Sequence, residues 1–323
     1  MGADASISAR GLARTFRVRG KSEVVNAVAG VDFHVANGEI VAFLGPNGAG
    51  KTTTQRMLST LLEPTAGDAT VAGCDLRRDP QGVRRGIGYV AQGGSTNPAA
   101  EVDEELVLQA RLYGLGRDEA ERRAAATRAM LELSELGTRQ IKTLSGGQKR
   151  RLDIALGLVH GPRVLFLDEP STGLDPQTRA NLWTHIRRLR DEGGTTVFLT
   201  THYLDEADAL CDRILIIDHG RIVAEGTPDE LKRRISGDLV TFEIVGDAER
   251  AQSILAAIPG VRDVSLRDKT VRATVDRGEE SALPLMRALD GAGLAIASMQ
   301  IARPTLDDVF LTLTGHSLRE GHA

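Results

Sequence analysis

The stretch Ile40–Thr54, IVAFLGPNGAGKTTT, limits the fold more than any other part of the chain. Five apolar residues read as a buried strand, a turn of three glycines and a proline follows, and a helix-prone run begins near Lys51. Gly45 to Thr52, GPNGAGKT, fits the G-x-x-x-x-G-K-[ST] pattern with the strand it needs before it and the helix it needs after it. Glycine accepts φ > 0 and presents no Cβ, so backbone N–H groups can close on a polyphosphate at the N-terminus of a helix. The expected cradle is Gly45, Pro46, Asn47, Gly48, Ala49, Gly50, Lys51, Thr52 and Thr53. In it Lys51 reaches the β- and γ-phosphates and the Thr52 hydroxyl takes Mg²⁺. A glycine-rich turn with an exposed lysine is the bland alternative, and the strand and helix around it count against that.

Composition narrows the rest. The chain has 323 residues, 41% hydrophobic and only 3% aromatic, which suits one large or two ordinary globular domains. A net charge of −4 and a pI near 6.0 supply no overall pull toward nucleic acid or anionic lipid. Apolar runs such as Ile40–Leu44 and Ile214–Ile217 fall far short of the roughly 20 residues of a membrane span. The first sixteen residues contain no apolar h-region, so no signal peptide is expected, and Gly2 matches a myristoylation pattern only weakly. Cys74 and Cys211 make neither a disulfide framework nor a metal cluster and are expected to be reduced, structural thiols.

Strands are expected at Val31–Val35, Ile40–Leu44, Val164–Leu167, Thr196–Thr200 and Ile214–Ile217, with a helix over Thr52–Leu62. Their near-continuous hydrophobicity, broken by helical stretches, predicts a parallel α/β sheet covered on both faces. Between them, Asp103–Glu135 is polar and helix-prone, and residues 93–160 form the expected helical subdomain. After Gly226-Thr227-Pro228 the pattern becomes βαββαβ, the order of a ferredoxin-like domain. The expected division is residues 1–232 and 238–323, with the boundary near Lys232–Gly237.

Three further stretches carry chemistry. RVLFLDEPSTGLD, Arg163–Asp175, delivers Asp168 and Glu169 at the C-terminal end of an apolar strand, where open α/β sheets bind ligands. Asp168 can hold Mg²⁺ through its water shell, and Glu169 can polarise a water beyond the γ-phosphate. A solvated acidic turn has the same composition, but a phosphate loop in the same chain counts against it. His202, in TVFLTTHYLDEA, ends another such strand and could donate to γ-phosphate oxygens as charge builds there. TLSGGQKRRLDIA, Thr143–Ala155, contains the run Ser145, Gly146, Gly147 and Gln148, which an ordinary loop can also use as a Ser-Gly-Gly helix cap.

Together these motifs, from about Ile7 to Glu225 and in this order, resemble the ATP-binding cassette (ABC) ATPases. The resemblance implies a P-loop α/β domain that binds ATP and Mg²⁺ and works as a homodimer. It also implies that Ser145, Gly146 and Gly147 sit at a helix N-terminus, where with Gln148 they complete the ATP site of a second copy. Phe16 takes the position of the ring that stacks on adenine, Gln92 that of the glutamine sensing Mg²⁺ and water, Asp175 that of the loop facing the opposite site, and His202 that of the switch histidine. Phe16 stands where tyrosine is commoner, a small change because stacking uses the ring. GGSTNPAAEVDEEL departs more, with Glu105 in place of asparagine in a region that faces the membrane partner.

RRLDIA and the terminal RPTLDDVFLTLTG, Arg303–Gly315, resemble the ATP-binding subunits of daunorubicin-resistance-type ABC exporters. That resemblance implies a separate polytopic membrane permease as partner, cytoplasmic residence on the inner face of the cell membrane, and export of drugs or lipophilic natural products. Arg303–Gly315 serves equally as a strand and helix covering the small sheet. Competing readings are an ABC ATPase acting on nucleic acid or ribosomes, an exporter of lipid or ions, and a ligand-sensing role for the tail. One cassette, no long heptad run and a mildly acidic chain argue against a nucleic-acid partner.

Overall fold

A computed structural model of the chain describes residues 5–17, 24–94, 96–235, 237–302 and 305–314. Two compact units result, Met1–Glu225 and Gly226–Ala323. The larger holds β1 (Ala5–Arg17), β2 (Val24–Ala36), β3 (Ile40–Leu44), α1 (Lys51–Leu58), β4 (Ala66–Val71), β5 (Cys74–Asp75), α2 (Pro80–Gly86), β6 (Ile87–Val90), α3 (Val102–Leu112), α4 (Arg117–Met130), α5 (Gly146–Leu158), β7 (Val164–Asp168), α6 (Pro176–Asp191), β8 (Thr196–Thr201), α7 (Leu204–Leu210), β9 (Arg213–Asp218) and β10 (Arg221–Gly226).

Its main sheet has the order β10-β9-β3-β8-β7-β6. The five strands from β9 to β6 pair in parallel. Every residue of β3, β7 and β8 is buried, as two-sided covering demands, and this is why their central residues read as near-continuous apolar runs. A second, antiparallel sheet, β2-β1-β4-β5, lies in the same unit. Phe33 of β2 meets Phe43 of β3 and Phe198 of β8 with ring centroids 5.4 and 5.9 Å apart, and Phe166 of β7 meets Phe198 at 5.7 Å. Those four rings belong to one buried cluster with Ile7, Leu12 and Val71, so the two sheets share a core. Burying each phenylalanine stabilises the unit by about 1.5–3 kcal/mol.

Most of this second sheet is missing from the sequence expectations. In β1 charged residues and Gly11 interrupt the apolar positions, and its pairing with β2 shifts register four times. Bulges of this kind erase the period of two on which strand recognition depends. The helix expected over Thr52–Leu62 begins one residue earlier and stops at Leu58; Thr60 has φ 63 and Leu61 is exposed.

The smaller unit runs α8 (Pro228–Ile235), β11 (Asp238–Val245), α9 (Ala248–Ala256), β12 (Val261–Arg267), β13 (Thr270–Val275), α10 (Gly278–Gly291), β14 (Ala295–Ala302) and α11 (Leu306–Thr314). Its antiparallel sheet has the order β12-β13-β11-β14. Val240, Phe242 and Ile244 alternate with Thr241 and Glu243 along β11, and only the first set joins the core with Leu255 of α9 and Leu285 and Leu289 of α10. The division falls before α8, which packs against α11 of the same unit. Residues 1–4, with Gly2, and Arg303, Pro304 and Gly315 of the terminal motif lie outside the described residues.

Candidate active site

Four neighbouring strands of the parallel sheet end at one edge, and each hands over a residue singled out in the sequence. After β3 comes Gly45, whose N–H donates to the Thr201 carbonyl at 3.3 Å. Gly48 and Gly50 have φ of 83 and 106. A Cβ on Gly45 would stand 2.2 Å from the Ile217 carbonyl oxygen and one on Gly50 2.4 Å from that of Ala27, so those two glycines allow the loop to lie against the sheet. Gly48 has open space on its Cβ side, which leaves room for a ligand to approach its backbone. Lys51 is only 4% exposed. Its Nζ donates to the carbonyls of Gly45 and Pro46 at 2.6 and 2.9 Å. Burial pulls its pKa down, and the Glu169 and Asp168 carboxylates pull it back up.

Asp168, at the end of β7, accepts from the Thr52 hydroxyl at 3.1 Å and from the Thr200 hydroxyl at 2.6 Å. This hydroxyl–carboxylate pair tests the Mg²⁺ expectation. It offers hard oxygen donors but too few to hold the ion alone, and among the described residues no group of three or more His, Cys, Asp or Glu could do so. The set therefore fits Mg²⁺ arriving with phosphate oxygens, its usual mode in nucleotide sites.

Glu169 follows in the left-handed region, with φ 44. The conformation is costly for a residue with a Cβ, and two bonds from its N–H, to the carbonyl and the hydroxyl of Thr200, help hold it. One carboxylate oxygen accepts from Gln92 Nε2 at 2.9 Å and from the Thr172 hydroxyl at 3.2 Å. The other lies 3.1 Å from His202 Nδ1. The imidazole is the main reason the Glu169 pKa sits below the usual carboxylate value; burial opposes it and Lys51 assists. Gln92 comes two residues after β6 and His202 directly after β8, so the sheet alone brings Lys51, Asp168, Glu169, Gln92 and His202 into one network.

A second group gathers where α5 and α6 begin. Ser145 and Gln148 form a reciprocal capping box at the start of α5. Asp175 caps α6 by accepting from the Thr178 N–H and hydroxyl, with Pro176 in the first turn. A Cβ on Gly147 would sit 2.5 Å from Thr178 Cγ2, so glycine permits the contact between the two helix ends. Gly146 stands beside it, exposed. Phe16, on β1, is 37% exposed with the Arg14 guanidinium 4.8 Å from its ring centroid.

Two buried residues escaped the sequence reading. Arg150, on α5, reaches three main-chain carbonyls around the network, those of Ala91, Asp168 and Pro170. Glu206, on α7, is wholly buried and accepts from Trp183 Nε1 at 3.1 Å; burial raises its pKa, while the hydroxyls of Thr201 and Ser171 work against the rise. Arg150 sits two positions beyond SGGQ and Glu206 four beyond His202, and adjacency to the motifs was the only signal available.

A glycine-rich loop after β3, an acid pair at the end of β7, a glutamine beyond β6 and a histidine directly after β8 define an ATP-binding-cassette ATPase. Comparison with known proteins agrees. Residues 28–172 match the ABC transporter family, and residues 226–314 match the family described as the C-terminal domain of DrrA1-3-like ATP-binding proteins. The chain is 42% identical to the doxorubicin resistance ATP-binding protein DrrA of Mycobacterium tuberculosis, over 96% of this chain and 94% of that one. It is 43% identical to the daunorubicin resistance ATP-binding protein DrrA3 of Streptomyces coeruleorubidus, over 91% and 92%. With the dimeric ATP-binding cassette MJ0796, solved in a post-hydrolysis state bound to ADP and Pi, it superposes at a TM-score of 0.62 and 26% identity, over 68% of this chain and 98% of that one. The chain belongs to the daunorubicin/doxorubicin resistance ATP-binding proteins of the ABC transporter family, and its activity is ATP hydrolysis.

Proposed function

We propose that the chain is the ATPase subunit of an exporter for drugs or lipophilic natural products. The observation that carries this reading is the network joining Thr52 to Asp168 and Gln92 to Glu169 and His202. Gly45 to Thr53 would wrap the triphosphate, with Lys51 exchanging its loop carbonyls for phosphate oxygens, and Phe16 would stack on adenine. Thr52, Asp168 and Gln92 would hold Mg²⁺, which neutralises charge on the phosphates when bound. Glu169 would take the proton of the attacking water, with His202 donating toward the γ-phosphate. Ser145, Gly146, Gly147, Gln148 and Asp175 would complete the site of a second copy, where the N-terminus of α5 favours an anion. Closure on ATP is then a population shift, since only the closed dimer supplies both sets of donors.

Relatives named for doxorubicin, daunorubicin and linearmycin resistance support a lipophilic cargo. Relatives named as ATP-binding proteins of resistance and export systems support a separate polytopic permease as partner, with the chain peripheral on the cytoplasmic face; among the described residues no helix is long and apolar enough to cross a membrane. The small unit, with its βαββαβ order, is read as a ferredoxin-like accessory domain. Glu169→Gln protein with ATP and Mg²⁺, used as bait on native membranes, should recover a polytopic membrane protein in stoichiometric amount. Ribosomes or DNA-bound proteins in its place would overturn the exporter reading.

A further inference from the structure

Helix α5 begins with the Ser145-Gly146-Gly147 cap and carries Arg150 on its buried side, one turn further along. The side chain is 7% exposed, and its guanidinium spans three carbonyls from two other segments. Nε donates to Pro170 O at 2.8 Å, Nη2 to Asp168 O at 3.0 Å and Nη1 to Ala91 O at 2.7 Å. Asp168 and Pro170 flank Glu169, and Ala91 precedes Gln92. One planar group thus fixes the backbone on both sides of Glu169 and the peptide that leads into Gln92. These are the two residues whose side chains meet at 2.9 Å.

Two further facts give this arrangement consequences. Glu169 occupies a left-handed conformation that persists only where the surroundings over-determine it, and the bonds on either side of it supply part of that determination. The guanidinium is also a rigid fork, so its donors cannot move independently. A displacement or rotation of α5 must carry all three carbonyls with it or break their bonds. Asp153, one turn on, lies 3.9 Å from Nη1 and balances the buried charge.

We propose that Arg150 is a positioning residue through which the Ser145-Gly146-Gly147 end of α5 sets the geometry of the Glu169–Gln92 pair in the same subunit. On the reading of Glu169 and of the α5 end given under Proposed function, on which this rests, nucleotide engaged by that end in one site is felt at the base of the other. Lysine cannot substitute. It keeps the charge but offers donors from a single point, which cannot span three carbonyls held by a fork.

The test uses the full chain and compares Arg150→Lys, Arg150→Gln and Glu169→Gln with the unsubstituted protein. ATP binding is followed by equilibrium titration and hydrolysis by steady-state kinetics. Folding is checked by thermal melting, and Arg150→Lys carries the test if Arg150→Gln does not fold. The expected result is a tenfold or greater loss of kcat in Arg150→Lys, a KM and a nucleotide Kd within about threefold of the original, and a reduced Hill coefficient for ATP. In the Glu169→Gln background, Arg150→Lys should cost less than twofold more, because both substitutions act through one group. Unchanged kcat in folded Arg150→Lys, or a loss confined to KM, overturns the inference. Rapid turnover by Glu169→Gln alone overturns the underlying reading of the base, so the two failures are distinguishable.

Discussion

The two units contain similar ingredients, strands with helices packed on them, and place their polar residues very differently. In the larger unit β3, β7 and β8 are buried along their whole length, so a polar group can appear only where a strand ends. Because the strands run in parallel, those ends lie on one edge, and Lys51, Asp168, Glu169, Gln92 and His202 converge there. In the smaller unit the strands are antiparallel and half covered. Thr241 pairs across to Arg272 and Gln300, and Glu243 to Thr270 and Ser298, spreading polar groups over a whole face. Two-sided burial concentrates chemistry at an edge, whereas one-sided burial disperses it.

The comparison breaks most visibly at Glu169. Glu169→Gln should lower turnover by about 10²–10⁴-fold, the usual worth of a positioned general base, while leaving ATP binding intact in a filter or fluorescence assay. Retention of most of the activity would remove the strand-edge network from the chemistry. The dispersed unit should instead fail through its core: Phe242→Ala, at a wholly buried position, should cost about 3–5 kcal/mol in the denaturation of that unit. Nucleotide binding should persist if each unit depends on its own core.

Smaller effects sharpen the contrast. Glu206→Ala should cost about 1–3 kcal/mol by leaving the buried Trp183 donor unpaired, whereas Glu206→Gln should cost much less, because burial already favours the uncharged acid. Comparing the two melting curves at neutral pH decides this. His202→Ala should move the acid limb of the pH–rate profile upward, since removing the main cause of the low Glu169 pKa leaves burial to raise it. A depressed folded-state pKa adds stability above the unfolded value of about 4.3 that disappears as pH falls through the folded one. His202→Ala should therefore also flatten the acid side of the stability profile. At the far end, Thr241→Val on the open face of the small sheet should change stability by less than about 0.5 kcal/mol.

The legible parts of the sequence were those where local pattern and tertiary role coincide. β3 and its loop, and β7 with Asp168 and Glu169, could be read because a continuous apolar run stops and its chemistry follows at once. The βαββαβ order of the tail was legible for the same reason, through clean alternation on β11 and β13. Arg150 was not, because its partners lie 59, 18 and 20 residues away and are backbone atoms, which no side-chain pattern marks. Glu206 looked like one acid among several in YLDEADA; only packing against Trp183 makes it an interior group. β1 hid its role behind Gly11 and its register shifts.

If Glu169 is the proposed base, its left-handed backbone sets folding and turnover against each other at a single position. Selected for thermal persistence alone, that site would drift toward glycine or asparagine, which enter this region of φ at little cost. Either would leave His202 and Gln92 without their carboxylate. On that proposed role, a stabilisation campaign on this chain would yield an inert nucleotide binder unless it also screened for hydrolysis.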